Sequence, residues 1–274
     1  MIPFCTLAPT LEPIRKDVDS AIRSVVDSGV FLNGDEVPAF EEAWASYCGT
    51  KHAIACASGT DAIALAVASL RMSLPVTIQA NTLTCTAIGI ERAGEMVRIH
   101  DCTDDGRCDV YYKRSMPVLL YGRYPTESEA ECSLFDACQA HGWKPPLHAT
   151  CAWSMFPTKN LGAFGDSGCV TTNSDDAARE IRKTLEFQLP EPGFRFHSRM
   201  SEINAAVLNV KLPILDDANA ERARLAEIYY AELPAWVEFV SQPGELTNHH
   251  LFAILCDHRD PLREHLLGHG VASR

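Results

Sequence analysis

No run of the 274 residues is long and apolar enough to span a bilayer as a helix. The opening Met1-Ile2-Pro3-Phe4-Cys5 has neither the basic flank nor the apolar run of a secretory signal. Positive charge is scarce: 24 Lys and Arg stand against 36 Asp and Glu, a net of −12. A chain so acidic is a poor partner for nucleic acid or for an anionic membrane surface. Any anionic ligand must then be held by a local site. The 11 cysteines include no CxxC pair, which argues against a structural zinc site and a disulfide framework. They are expected as small buried apolar residues in a reducing cytoplasm. Internal repeats and low-complexity tracts are missing as well.

What is there reads as an α/β protein. With 46% hydrophobic residues the chain can bury a sizeable core. Ile14, Val18, Ile22 and Val25 recur at helical spacing over Glu12–Ser28, with Gly29 as the stop. A second helix is expected over Glu36–Tyr47, ending at Gly49. Strand-like runs follow at His52–Ala57, Val76–Gln79, Met96–His100, Pro117–Leu120, Ser133–Phe135, Ala152–Phe156 and Gly168–Thr172. Helices at Thr60–Leu70 and Thr84–Arg92 fall between several of them. Such alternation predicts a mostly parallel sheet. Ser174 is expected to cap a helix reaching about Phe187, followed by an irregular stretch at Gln188–Arg199. A long helical region then runs over Ser201–Leu233, bent at Pro213. Two short strands, Val237–Ser241 and His250–Cys256, and a helix Pro261–Gly268 complete the chain. A lobe boundary is expected near Asp216.

Three segments carry chemistry. In Ala57-Ser58-Gly59-Thr60-Asp61 a buried strand turns through small residues into a helix, whose first-turn amides and dipole suit a phosphate. Taken alone, this reads first as an ordinary helix cap by Ser58 or Thr60. In Phe135-Asp136-Ala137-Cys138-Gln139-Ala140-His141-Gly142, Asp136 lies at the C-terminal end of an apolar strand, where ligands of open α/β sheets gather. A carboxylate there suits a protonated ring nitrogen, or caps the next helix. His141 reads as a satisfied hydrogen-bonding group before it reads as a catalyst. In Ser154-Met155-Phe156-Pro157-Thr158-Lys159-Asn160-Leu161-Gly162, Lys159 follows an apolar run and precedes three glycines. Most lysines are solvated surface groups. One set this way is open to desolvation, which makes its amine nucleophilic toward an aldehyde.

Together and in this order, these segments resemble the fold-type I pyridoxal-phosphate sugar aminotransferases of the DegT/DnrJ/StrS family. The likeness extends to Ser28-Gly29 through Phe40-Glu41, to Leu120-Tyr121-Gly122, and to Arg199-Met200-Ser201-Glu202 running to Leu212-Pro213. The resemblance implies a three-layer fold-type I large domain over residues 1–215 and a shortened C-terminal α+β lobe over 216–274. It implies that Lys159 carries pyridoxal 5'-phosphate as a Schiff base and that Asp136 pairs with the pyridinium nitrogen. Gln139 would lie near the ring, and Ser58, Gly59, Thr60 and Ser154 would hold the phosphate. The expected reaction moves an amino group, by family likeness from glutamate, to a keto-sugar carried on a nucleotide. A homodimer with a large, mostly apolar interface is expected.

The chain departs from the family pattern at three places. Leu83 stands where an aromatic residue usually stacks on the cofactor ring. His197 stands where an asparagine usually reaches a neighbouring subunit's phosphate. The stretch between Asp109 and Pro117 is cut down, and the family's small lobe would continue beyond Arg274, so the last lobe is expected to be mobile or to lean on the large domain. Alternatives are an impaired or non-enzymatic protein of this fold, or a transaminase of a non-sugar ketone such as a cyclitol. Sugar dehydration is disfavoured, since relatives that dehydrate are expected to replace the lysine with histidine. Metal binding by His265 and His269, with His249-His250 nearby, yields to a solvated helix face, because no acidic partner stands at metal spacing.

Overall fold

A computed structural model describes residues 1–70, 75–108, 115–185 and 197–274 of the protein. Its helices are α1 (Ala8–Leu11), α2 (Arg15–Ser28), α3 (Glu36–Cys48), α4 (Gly59–Ser69), α5 (Thr84–Arg92), α6 (Glu127–Ala130), α7 (Asp175–Leu185), α8 (Glu202–Lys211), α9 (Leu215–Glu232) and α10 (Arg259–Gly268). The strands are β1 (His52–Cys56), β2 (Val76–Gln79), β3 (Val97–His100), β4 (Leu134–Asp136), β5 (Thr150–Ser154), β6 (Gly168–Thr172), β7 (Glu238–Phe239) and β8 (Ile254–Leu255). Gly29 and Gly49 stop α2 and α3 in the left-handed conformation, at φ +68° and +70°, which costs little without a Cβ. Pro213 sits in a 3-10 turn between α8 and α9, as a residue that cannot donate to a helix ladder must. The expected boundary at Asp216 falls in the first turn of α9.

The main sheet runs β1-β6-β5-β4. β4 and β5 are parallel, whereas β6 lies antiparallel between β1 and β5. The parallel pair β2–β3 continues the same layer through residues 115–119. Thr77 bridges Ser115 on one side of that segment, and Asp136 bridges Val118 on the other. The sheet is thus parallel apart from β6.

The expected strand at Pro117–Leu120 is corrected to this segment of single bridges. Pro117 has no N–H to give, and the Val118 N–H goes to the Gln79 side chain at 3.0 Å, while Gln79 Nε2 donates back to the Val118 carbonyl at 3.1 Å. Leu120 already belongs to a 3-10 turn. β5 begins two residues before the expected Ala152, while β7 and β8 are two residues each. The helix starting after Ser174 is described as far as Leu185. Its expected end near Phe187, and most of the Gln188–Arg199 stretch, lie outside the described residues.

Alternation along the strands divides the core into two faces. Ala53, Ala55, Cys151, Trp153 and Cys169 pack with Phe40 and Trp44 of α3 and with Ala205 and Leu208 of α8. Ile54, Cys56, Ala152 and Val170 pack instead with Ile63 and Leu65 of α4, Ile90 of α5 and Ile181 of α7. Helices therefore cover both faces of the sheet, giving three layers. Each fully buried large side chain contributes about 1.5–3 kcal/mol, which secures the strands whose ends carry the site.

Residues after α9 are held differently. α10 buries no residue. The segment leans on the large domain through backbone bonds, Tyr124 N to Leu246 O at 2.9 Å and Asn248 N to Gly122 O at 3.1 Å. Glu245 adds an ion pair with Arg123 (2.7 Å) and another with Arg107.

Candidate active site

Asp136 is the last residue of β4 and is 4% exposed. Its Oδ1 accepts the Cys138 N–H at 3.1 Å, and its Oδ2 accepts the Thr86 hydroxyl at 2.9 Å. Thr86 comes from the first turn of α5, where its hydroxyl also meets that of Thr82 at 2.8 Å. The carboxylate is fixed from two elements, yet each oxygen keeps a further lone pair.

Lys159 lies in the tight turn after β5, its N–H bonded to the Phe156 carbonyl at 2.8 Å. The turn has no room for a side chain at Gly162, where a Cβ would come 2.4 Å from the Pro157 carbonyl oxygen. Lys159 and Asp136 both act electrostatically on two thiols, Cys85 and Cys138. Burial raises Cys85 and Cys138 above the ordinary thiol pKa, the Asp136 carboxylate pushes both further up, and the Lys159 ammonium opposes it. These side chains lie at the C-terminal ends of parallel strands, where open α/β sheets collect ligands.

The small-residue turn lies against the end of β5 and the exit of β4. Ser58 caps α4, its Oγ accepting the Asp61 N–H at 3.1 Å. At Gly59 a Cβ would stand 2.6 Å from Ser154 Cβ and 3.2 Å from Cys138 Sγ, so the turn, the end of β5 and the exit of β4 are packed together. That close approach needs glycine, and it leaves the first-turn amides of α4 beside the Ser154 hydroxyl. Ser198 secures the turn: its hydroxyl accepts the Ala57 N–H at 2.8 Å and donates to Asp61 at 2.7 Å, while Arg92 pairs with Asp61 at 2.9 Å.

Of the residues expected at the site, Ser58 and Gly59 pack against Ser154 and Cys138, whose N–H bonds Asp136; Thr60 follows in the first turn of α4, and Lys159 stands in the turn after β5. Gln139 follows Asp136 and spends its Oε1 on the Tyr121 N–H at 2.7 Å. Tyr121 takes φ +63°, a left-handed strain of the kind held at functional sites. Leu83 directly precedes α5 and is 62% exposed, three residues from Thr86. His197 is exposed and adjoins Ser198. His141 is fully buried, its ring 5.8 Å from Trp44 and 5.7 Å from Trp153; neither nitrogen makes a well-formed hydrogen bond among the described residues, though the Ser154 backbone lies near enough to favour the charged ring weakly. Burial first and the Lys159 charge second push its pKa down to about 3. Thr86, Asp61 and Ser198 carried no spacing signal, because their roles depend on contacts across as many as 137 positions of sequence. Among the described residues, no three His, Cys, Asp or Glu side chains converge to hold a metal ion, and no helix is long and apolar enough to cross a membrane.

A doubly covered, mostly parallel sheet, with a carboxylate and a small-residue helix turn at its C-terminal edge and a lysine in the turn after β5, fits an α/β enzyme of the aminotransferase type. The chain belongs to the DegT/DnrJ/EryC1/StrS aminotransferase family, whose model matches residues 12–108 and 132–274. It is 32% identical to the erythromycin biosynthesis sensory transduction protein EryC1 of Saccharopolyspora erythraea, over 98% of this chain and 83% of that protein. It is 31% identical to the dTDP-3-amino-3,4,6-trideoxy-alpha-D-glucose transaminase of Streptomyces venezuelae, over 98% of this chain and 80% of the relative. Among solved structures, DesV of S. venezuelae superposes with a TM-score of 0.86 at 29% identity, covering 98% of this chain and 82% of its own.

Proposed function

We propose that this chain uses pyridoxal 5'-phosphate to move an amino group from an amino-acid donor, glutamate, to a keto-sugar carried on a nucleotide. The observation that carries this reading is the packing of the Ser58–Thr60 turn against Ser154 and Cys138, beside Asp136, with Lys159 in the turn that follows β5. The relatives named as sugar transaminases supply the substrate class.

The residues present fit the cofactor. The α4 amides and the Ser154 hydroxyl are a donor set for its phosphate, the Asp136 carboxylate suits the protonated ring nitrogen, and the Lys159 amine suits the aldehyde. When bound, the cofactor supplies an electron sink for the bond broken at the substrate's α-carbon. The protein's own groups do the rest. Lys159 Nζ takes the α-proton and returns it as general base and then general acid. Asp136, held by Thr86 and the Cys138 N–H, keeps the proton on the ring nitrogen. Gln139, braced by the Tyr121 N–H, would stand near the bound ring, and Leu83 would offer an apolar contact to it.

The chain divides into a cofactor-binding domain over 1–215 and a short lobe over 216–274. Two copies form a symmetric, cytoplasmic dimer in which His197 reaches the partner's cofactor phosphate. Exposed Val26, Val30, Phe31 and Leu32 support the apolar interface. The test is the visible spectrum of protein mixed with pyridoxal phosphate, followed by borohydride reduction and peptide mapping. The adduct is expected on Lys159, and an adduct on another lysine overturns the assignment. Amination of dTDP- or UDP-linked keto-sugars with glutamate as donor tests the substrate class.

A further inference from the structure

His249-His250 entered the sequence only as a candidate metal pair, and the function proposed above leaves it unused. The structure bonds His250 to Asn160, the residue after Lys159. Asn160 donates from Nδ2 to Asn219 Oδ1 at 2.8 Å and to the Asn248 carbonyl at 3.2 Å. Asn219 Nδ2 in turn donates to the His141 carbonyl at 2.8 Å. Asn248 Nδ2 donates to the Gln139 carbonyl at 2.9 Å and to that of His141 at 2.8 Å, and Asn248 Oδ1 accepts the His250 N–H at 2.9 Å.

These contacts fix every donor and acceptor. A backbone carbonyl only accepts, so Asn219 must present Oδ1 to Asn160, and Asn160 must then present Oδ1 to His250. The atom that Asn160 Oδ1 meets, at 2.9 Å, is His250 Nδ1. That nitrogen carries the hydrogen, and Nε2 keeps a lone pair. His250 is 9% exposed. Burial first, then the Lys159 charge, His141 and Arg222, push its pKa down to about 2, so the ring is neutral. At Gly122 a Cβ would fall 1.8 Å from Asn248 Oδ1, which shows how closely the segment after α9 is seated on the 121–123 turn.

We propose that His250 is a positioning residue for Lys159: through Asn160 it ties the lysine turn to the Gln139–His141 loop that follows Asp136. The distance between amine and carboxylate is then set by side chains from α9 and from residues 248–250, outside the sheet. This inference rests on reading Lys159 as the cofactor lysine.

The first experiment needs no variant. Nitrogen-15 spectra of histidine-labelled whole protein, with cofactor bound and without, are expected to show His250 as the Nδ1–H tautomer, unprotonated from pH 5 to 8. An Nε2–H tautomer, or titration in that range, overturns the proposal. The second compares His250→Phe with His250→Asn, whose Nδ2 can replace Nδ1 as donor. The Phe variant should lose roughly 10–100-fold in kcat, with KM for the amino donor within about twofold, since misplacement of about 1 Å acts on the reacting geometry. The Asn variant should return to within about threefold. In cofactor-free protein, amine-selective labelling of Lys159 should change rate in the Phe variant alone. A folded Phe variant with wild-type kcat and labelling, or a folded Asn variant no better than Phe, sinks the idea. Should borohydride mark another lysine, the function fails while the tautomer result still stands, so the two failures are distinguishable.

Discussion

β5 and β8 are both short strands, yet they are held by opposite means. Thr150–Ser154 is buried along its whole length, between Trp44 and Phe135 on one face and Ile63 and Val170 on the other. Ile254–Leu255 pairs with two residues of β7 and is buried nowhere. The first depends on apolar area removed from water, which is non-directional and tolerant of detail. The second depends on a few directional contacts at residues 121–124, so single side chains matter more there. The candidate site takes Asp136 from the buried sheet and Lys159 from the turn after β5, and Asn248 and His250 of the leaning segment bond that turn at Asn160.

This comparison can be broken or sharpened in order of expected effect. Lys159→Ala should abolish transamination and borohydride trapping while the core, and therefore the melting transition, stays intact. Turnover by the variant, or trapping elsewhere, would break the sheet-edge half of the comparison. Asp136→Asn should fold but lose on the order of 10²–10³-fold in kcat, the scale of removing one charge-assisted contact at the reacting centre. Wild-type turnover would place the essential carboxylate elsewhere.

Glu245→Gln should act on the leaning segment alone. It weakens the carboxylate shared by Arg107 and Arg123, whose side chains are 14% and 7% exposed, at a cost of about 1.5–3 kcal/mol. Hydrogen exchange should accelerate over residues 245–256 and not over β5. Equal acceleration in both would show that the two regions unfold as one.

The buried histidines give the pH dependence. Both folded pKa values lie below the ordinary 6.5, at about 3 for His141 and about 2 for His250. Their neutral forms are favoured by folding, so stability is fully present above about pH 6.5 and is lost as the pH falls, because the unfolded chain takes up protons the folded one refuses. Each ring contributes up to about 1.4 kcal/mol per pH unit in that window. His141→Phe, filling the cage between Trp44 and Trp153 without unpartnered nitrogens, should flatten the slope by about one proton between pH 4 and 6 in denaturant titrations. An unchanged slope would show that His141 is hydrogen-bonded by water and titrates ordinarily. The smallest effect is expected at Leu83: Leu83→Phe should tighten cofactor binding by about 0.5–1.5 kcal/mol if residue 83 lies over the ring. Equal or weaker affinity would displace Leu83 from that role.

Much of the scaffold is legible in local pattern. α2, α3 and α5 follow from apolar periodicity and stop signals, and β2 and β6 appear with the expected ends. Pro117–Leu120 misleads because a run of apolar residues says nothing about where its amides bond, and Val118 bonds a side chain. The small-residue turn, Asp136 and Lys159 were legible because each stands at the end of a patterned strand. His250, Asn160 and Asn219 were not, since an asparagine in a loop or helix has the same local signature whether it faces water or a carbonyl 78 positions away.

The sequence by itself determined the alternation that builds a doubly covered sheet, the acidic balance that leaves anion binding to a local site, and the motifs that mark Lys159, Asp136 and the Ser58–Thr60 turn. These depend on neighbours within a few residues, where spacing and side-chain type suffice. Only the tertiary structure decided that β6 runs against its neighbours, that Thr86 and the Cys138 amide share the Asp136 carboxylate, and that Asn248 and His250 bond Asn160 in the lysine turn. Those are contacts between segments far apart in the chain, and their donors and acceptors acquire roles only when packing brings them within hydrogen-bonding reach.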